Sequence, residues 1–125
     1  MGFGNKACIP VSLVGAVSLL LLAPAHAGKD DAEWNPPARF DHPYKGELLV
    51  RRIPQESVVE ACRVLFSIYR VPAMSHPEQR GCSILTSKHS CLVVTIDEPY
   101  MRATPESVLR HEIGHCNGWP ADHPN

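Results

Sequence analysis

The first 27 residues of this 125-residue chain constrain its fold most, because they decide how much of the chain remains to form a core. A single positive charge at Lys6 precedes an unbroken run of 13 apolar and small residues from Val11 to Ala23, and Ala25-His26-Ala27 follows. This order is typical of a cleavable secretory signal. The apolar run is also shorter than the ~20 residues that cross a bilayer. We therefore predict export with cleavage after Ala27, so that the mature protein comprises residues 28–125.

Four cysteines remain after the signal is removed: Cys62, Cys82, Cys91 and Cys116. A mature chain of 98 residues buries only about 60–65% of the surface that it exposes when unfolded, so an additional cross-link is expected. An even number of cysteines in an exported protein indicates disulfides rather than free thiols. We expect two disulfides, and sequence alone permits three pairings.

The pattern of apolar residues predicts five elements in the order strand, helix, strand, strand, helix. Residues 28–46 contain charges, prolines and scattered aromatics, and we interpret them as an extended N-terminal arm that docks through Trp34, Phe40 and Tyr44. The elements are a strand at Glu47–Ile53, an amphipathic helix at Pro54–Ile68, strands at Gly81–Thr86 and Cys91–Ile96, and a helix that begins at Thr104-Pro105-Glu106 and ends at Asn117-Gly118. They predict one small, disulfide-stapled α+β domain over residues 47–125.

The predicted elements favour one disulfide pairing. If the two later strands form a hairpin centred near Thr86-Ser87, Cys82 lies opposite Cys91 and can bridge it. Cys62 and Cys116 both lie on apolar helical stripes, and a bond between them would join the two helices. We therefore expect the pairs Cys82–Cys91 and Cys62–Cys116.

The charge balance excludes one class of partner. Without Lys6, the mature chain carries 11 basic and 13 acidic side chains, a net charge of −2. A chain with no basic excess lacks the electrostatic footprint of a nucleic-acid-binding protein. We expect no nucleic-acid partner, and no membrane association once the signal has been cleaved.

The last predicted helix carries the sequence His111-Glu112-Ile113-Gly114-His115. Positions i and i+4 lie about 40° apart around a helix, so both imidazoles leave the same face one turn apart. Their nitrogens can then bind one zinc ion at about 2.0–2.1 Å. Glu112 is rotated by about 100° from His111, which suits a general base that reaches an attacking water rather than a third ligand.

A third ligand is expected from the segment after this helix. Gly118 and Trp119-Pro120 end the helix, and residues 119–123 can span up to about 16 Å, which is ample for a return to the metal. Imidazole is a common zinc ligand, so we predict His123 as the third ligand, with Asp122 as the alternative. If His123 binds, Asp122 is free to orient an imidazole from outside the ligand set. The indole of Trp119 is expected to pack beside the site.

The string from His111 to Gly118 (HEIGHCNG) resembles the active-site helix of the zincin metallopeptidases, and its H-x-x-G continuation resembles the metzincin branch. The string from Arg110 to His123 is also similar to small exported or phage-associated bacterial proteins of unassigned role. The resemblance to zincins implies a zincin-like core, zinc at His111 and His115, Glu112 as general base and proton shuttle, and hydrolysis of peptide bonds. It also implies that Leu92 to Ile96 is an edge strand that pairs with the substrate backbone.

The chain departs from the metzincin pattern at the third ligand. That ligand would fall at Ala121, whose side chain has no donor atom. The turn after the helix must therefore be longer, so that His123 or Asp122 returns to the metal.

These observations predict a secreted zinc-dependent hydrolase, a metallopeptidase that acts on peptide or protein substrates. In it zinc polarises the scissile carbonyl while Glu112 takes a proton from water. The alternative is a non-enzymatic, disulfide-stapled module that binds zinc or an interaction partner, and a host-interaction protein with a relic site is a third interpretation. Coordination number separates them, because a structural zinc site is closed by four protein ligands. This chain offers three, His111, His115 and His123, together with a glutamate placed for catalysis.

Overall fold

The computed structural model of the protein describes residues 35–72 and 75–125. The predicted signal at residues 1–27 and the first part of the arm, with Trp34, lie outside the described residues. The described elements are strand β1 (Glu47–Ile53), helix α1 (Gln55–Ile68), strand β2 (Gly81–Ser87), strand β3 (Ser90–Ile96) and helix α2 (Pro105–Cys116). The protein is thus a small α+β fold with the predicted order of elements. Neither described helix has the length and apolar character needed to cross a bilayer.

The three described strands form one mixed sheet in the order β1-β3-β2. β1 runs parallel to β3, and β2 pairs antiparallel with β3 through the two-residue turn Lys88-His89. β3 is therefore the central strand, and the expectation that Leu92 to Ile96 forms an edge strand is wrong. The near-continuous apolar run CLVVTI suits a central strand with both faces covered, and its four successive residues Val93 to Ile96 are all buried.

The two helices cover opposite faces of this sheet. Val94 of β3 belongs to a buried cluster with Val58 of α1. Its neighbour Val93 belongs to a second cluster with Cys116 of α2. Because successive side chains of a strand point to opposite faces, the sheet lies between α1 and α2.

Each disulfide joins a helix to the strand beneath it. Cys62 of α1 is bonded to Cys82 of β2, and Cys91 of β3 is bonded to Cys116 of α2. The presence of two disulfides confirms the prediction, but the expected pairing of Cys82 with Cys91 and of Cys62 with Cys116 is wrong. The two helical cysteines cannot approach each other, because the sheet separates them.

The hairpin register explains why the two strand cysteines do not meet. Cys82 lies opposite Val94, three residues beyond its expected partner Cys91. The turn lies at Lys88-His89 rather than near Thr86-Ser87, which alone would move the partner of Cys82 by four residues, and a bulge between Leu85 and Ser87 reduces this shift to three. A shift by an odd number of residues turns a side chain to the other face of the sheet, so Cys82 faces α1 while Cys91 faces α2.

The described part of the arm, residues 35–46, packs against α2 and the sheet face beneath it. Pro36 is buried against Gly114, where a Cβ atom would lie 2.5 Å from the Pro36 ring. Tyr44 packs against the cluster that contains Val93. The expected docking of the arm through aromatic side chains is therefore confirmed at Tyr44.

Polar contacts also hold the arm to α2. The Asn117 side-chain amide, at the end of the helix, donates to the carbonyl oxygens of Phe40 at 2.8 Å and of His42 at 2.6 Å. The Arg110 guanidinium donates to both carboxylate oxygens of Asp41, with a distance of 2.9 Å from Nε to Oδ1. Both contacts lie within one turn of the candidate ligands on this helix.

Candidate metal centre

Helix α2 places two of the candidate ligands. The Thr104 hydroxyl accepts from the Ser107 amide at 3.1 Å, and the Ser107 hydroxyl accepts from the Thr104 amide at 2.9 Å. This reciprocal cap, together with Pro105, fixes where the helix begins. His111 and His115 then lie one turn apart on one face, and their Nε2 atoms are 3.1 Å from each other.

His123 completes a triangle of ring nitrogens. Its Nε2 atom lies 3.2 Å from that of His115 and 3.2 Å from that of His111. Three nitrogens that bind one zinc ion at about 2.0–2.1 Å in tetrahedral geometry are about 3.3 Å apart. The three histidines therefore fit the spacing that one metal ion requires, and their ligand atoms all lie within 4.8 Å of one another.

The tautomer of His115 follows from the partner of its other nitrogen. Nδ1 lies 2.7 Å from the carbonyl oxygen of Trp119, and because a carbonyl oxygen can only accept, Nδ1 carries the proton. Nε2 then keeps a lone pair that faces the other two imidazoles. Burial lowers the pKa of His115, which favours the neutral form that binds metals.

Trp119 packs beside the site, as expected. Its ring is stacked on that of His115, with centroids 4.9 Å apart and an interplanar angle of 12°. The same ring lies 5.1 Å from the centroid of His111 and 4.8 Å from that of His123. Trp119 is 5% exposed, and its Nε1 atom donates to the carbonyl oxygen of Pro124 at 3.0 Å. One indole therefore supports all three imidazoles and the segment that follows α2.

The chain returns to the site through tight turns after α2. Gly118 has a φ of +102°, a left-handed conformation that glycine adopts without strain, and the Trp119 amide bonds to the carbonyl oxygen of Gly114 at 3.0 Å. The His123 amide then donates to the carbonyl oxygen of Pro120 at 3.0 Å. His123 itself has a φ of +55°, which is uncommon for a residue other than glycine.

The structure brings His123 to the other two imidazoles and leaves Asp122 outside the group. Asp122 is exposed, and within the described ranges its carboxylate is not one of the ligand atoms gathered within 4.8 Å. This placement favours His123 over Asp122 as the third ligand. Whether Asp122 orients an imidazole stays a prediction.

Glu112, on α2, is buried against β2. It is 6% exposed, and its Oε2 atom accepts a hydrogen bond from the Ser83 hydroxyl at 2.9 Å. Burial raises the pKa of Glu112 to about 7, although the bond from Ser83 acts in the opposite direction. Gly81 makes room for this packing, because a Cβ atom there would lie 2.6 Å from Val108 and 3.3 Å from the Glu112 Cγ atom.

Ser83 is a site residue that the sequence analysis did not identify. Its signal is the alternation of side chains along β2, where Cys82 and Ile84 are buried and Ser83 lies between them. Since Cys82 is bonded to α1, Ser83 must face α2 on the other side of the sheet. A polar residue on that face points to a polar partner on α2, which is Glu112.

A cleft of about 300 Å³ opens beside His115. It lies where the end of α1 approaches β2, and its lining includes Tyr69, Val71, Leu85 and Ser83. Because the Ser83 hydroxyl bonds to Glu112, the cleft adjoins both a candidate ligand and the buried acid.

Disulfides of the kind that cross-link this fold are typical of an oxidising, extracellular-type environment. In that setting, three histidines able to hold a metal ion lie on and after a helix that also carries a buried glutamate. Comparisons of the chain with protein-family models, with curated proteins and with solved structures gave no match, so the site is interpreted from its own geometry.

Proposed function

We propose that this protein is a secreted zinc-dependent hydrolase that cleaves peptide bonds. The observation that carries the proposal is the triangle of Nε2 atoms from His111, His115 and His123, 3.1–3.2 Å apart. Three protein ligands leave one coordination position open, as in catalytic zinc sites, whereas structural sites are closed by four protein ligands.

Zinc suits this set of donors. Imidazole nitrogen also binds copper, iron and nickel, and those metals favour square-planar or octahedral surroundings. Three imidazoles at near-tetrahedral spacing, with no thiolate among them, match the ligand set of catalytic zinc. When bound, zinc would supply a Lewis acid that polarises a carbonyl group and lowers the pKa of water.

Glu112 is the residue to which we assign proton transfer. Its carboxylate would accept a proton from the attacking water and return it to the leaving nitrogen. The Ser83 hydroxyl donates to Oε2 of Glu112, which restrains the side chain, and Oε1 would take the proton. The side chain is held in place before any substrate arrives.

Under this proposal the strand that pairs with the substrate backbone is β2 rather than β3. Both edges of β3 are occupied, by β1 and by β2. β2 lies at the edge of the described sheet, next to the cleft and to Glu112. An extended peptide can add to such an edge through its backbone hydrogen bonds.

A non-enzymatic zinc-binding module is the competing function. It would use the same three histidines, but the metal would then serve the stability of the fold. One disulfide already links each helix to the sheet, and two such bonds are the cross-linking that a chain of this size requires. A metal is not needed for that purpose, and this supports a catalytic role.

Export forms part of the proposal. The amino terminus of protein recovered from the periplasm or the medium is expected to be Gly28, since the signal should be cleaved after Ala27. An exported protein that retains Met1 would refute the cleavable signal.

Metal analysis of the mature chain, combined with an assay on unfolded casein, tests the proposed activity. The wild type should bind one zinc ion per chain and release new amino termini from casein. Glu112→Gln should retain zinc and lose hydrolysis, because it keeps the ligands and removes the base, whereas His111→Ala should lose both. Zinc binding without hydrolysis in the wild type would favour the binding module, and a wild-type chain that holds no metal at neutral pH would refute the zinc site.

A further inference from the structure

Three exposed apolar side chains lie around one cleft beside the metal centre. Tyr69 and Val71 are each 41% exposed, and Leu85 is 54% exposed. All three line the cleft that is also lined by the candidate ligand His115. Single exposed apolar residues are common on proteins, but several around one concave surface mark a binding site.

The chemistry of this cleft suits an uncharged group. The described side chains that line it include no carboxylate, lysine or arginine. A charged group that entered would lose its hydration without gaining an ion pair, which is costly. An aliphatic or aromatic group would instead be removed from water favourably.

The position of the cleft ties it to the reacting groups. His115 contributes its Nε2 atom to the triangle of ring nitrogens and also lines the cleft. Ser83 lines the cleft as well, and its hydroxyl bonds to Glu112. A side chain held here therefore belongs to a residue close to the bond on which Glu112 would act.

We propose that this cleft is the subsite that selects the substrate, and that it takes an aliphatic or aromatic side chain from a residue adjoining the scissile bond. This inference rests on the proposed function, and it adds a specificity that the three histidines and Glu112 do not determine. The selection is assigned to Leu85, Val71 and Tyr69. A volume of about 300 Å³ accommodates one such side chain and is at the lower limit for small-molecule sites.

Binding of small hydroxamates tests the cleft separately from hydrolysis, because a hydroxamate chelates an accessible zinc ion whether or not the protein turns over a substrate. The zinc-loaded mature chain would be titrated in a calorimeter with three compounds. Acetohydroxamate is the reference, 4-methylpentanohydroxamate adds an isobutyl group, and the monohydroxamate of glutaric acid adds a carboxylate at similar length. The isobutyl compound should bind about tenfold more tightly than the reference, as half-burial of a four-carbon group predicts. The carboxylate compound should bind no more tightly than acetohydroxamate.

Matched variants show which residues produce the preference for the isobutyl compound. Leu85→Asn should abolish the tenfold preference and leave the affinity for acetohydroxamate unchanged. Leu49→Asn is the control, because Leu49 is 46% exposed but lies on β1, at the other edge of the sheet. Leu85→Ala and Val71→Asn are further variants that should each lower the preference in part.

The outcomes separate the two proposals. Equal affinities of the wild type for all three compounds would overturn the apolar cleft and leave the metal site intact. A preference that survives in Leu85→Asn, Leu85→Ala and Val71→Asn, or that is lost equally in Leu49→Asn, would also overturn it. Failure of acetohydroxamate to bind the zinc-loaded chain would overturn the proposed function and the cleft together.

Discussion

His115 donates its Nδ1 proton to the carbonyl oxygen of Trp119 at 2.7 Å, and the ring of Trp119 is stacked on the ring of His115. A single residue thus fixes both the tautomer and the plane of this imidazole. Groups that orient a ligating histidine from outside the ligand set affect metal affinity by about 10–100-fold. Trp119 is therefore expected to matter for metal binding although it supplies no ligand atom.

Trp119→Ala should weaken zinc binding by about 10–100-fold, because the imidazoles lose the ring that holds them. Trp119→Phe should lose less zinc affinity, since it keeps an aromatic ring that can stack on His115, although the ring is smaller and lacks the indole N–H that bonds to Pro124. Competition with a chromophoric chelator measures the affinities, and circular dichroism confirms that both variants are folded. An unchanged affinity in folded Trp119→Ala would contradict this role.

His123→Asn should weaken zinc binding more than any change outside the three histidines. Asparagine tolerates the left-handed backbone recorded at this position, a φ of +55°, so the variant isolates the loss of the imidazole. Asp122→Ala should weaken binding by about tenfold at most, as expected for a group that only orients a ligand. If Asp122→Ala releases the zinc while His123→Asn retains it, the assignment of the third ligand is wrong.

The two disulfides should differ in their effect on zinc affinity. Cys91–Cys116 ends beside His115, whereas Cys62–Cys82 lies on the face of the sheet that α1 covers. Replacing either pair by alanines should lower the free energy of unfolding by about 2–5 kcal/mol. Only the loss of Cys91–Cys116 should also lower zinc affinity, because it releases the last turn of α2. Denaturant titrations and chelator competition on the two double variants check this, and equal losses of zinc affinity would argue against it.

The local features of this fold were predictable from sequence, and those that depend on register were not. Helical spacing placed His111 and His115 on one face because that periodicity is a property of the helix alone. The predicted strands leave residues 87–90 as their connection, which contains the observed turn at Lys88-His89, but no residue pattern signals the bulge between Leu85 and Ser87. The resulting shift of three residues in register exchanged the disulfide partners of Cys82 and Cys91.

Two features of the site depend on contacts that helical spacing does not determine. The bond from Ser83 to Glu112 joins residues 29 positions apart, and it forms only because β2 lies against α2. The left-handed backbone at His123 follows the turn in which its amide bonds to Pro120. The alternation of side chains along β2 assigns Ser83 to a face of the sheet but does not identify Glu112 as its partner, and no periodic pattern indicates the turn before His123.

Low pH is expected to loosen the arm from α2. The bidentate hydrogen bond from the Arg110 guanidinium holds the pKa of Asp41 below its ordinary value. A carboxyl group whose pKa is lowered by folding stabilises the fold fully above the pKa of the unfolded chain, about 3.9, and this contribution is lost as the pH falls through the lowered value. The contact should therefore contribute at pH 6 and disappear in the acid range below about pH 4.

Urea denaturation of the zinc-free chain at pH 6 and in that acid range measures this contribution without interference from metal release. Asp41→Asn should be less stable than the wild type at pH 6, and the difference should shrink in acid as the wild-type carboxyl becomes protonated. Glu60→Gln is the matched control: the Arg63 side chain also lowers the pKa of Glu60, but both groups lie exposed on α1 and connect nothing to the arm. Because an exposed pair within one helix contributes little, Glu60→Gln should follow the wild-type profile. An Asp41→Asn profile that coincides with the wild type at both pH values would show that the ion pair does not hold the arm.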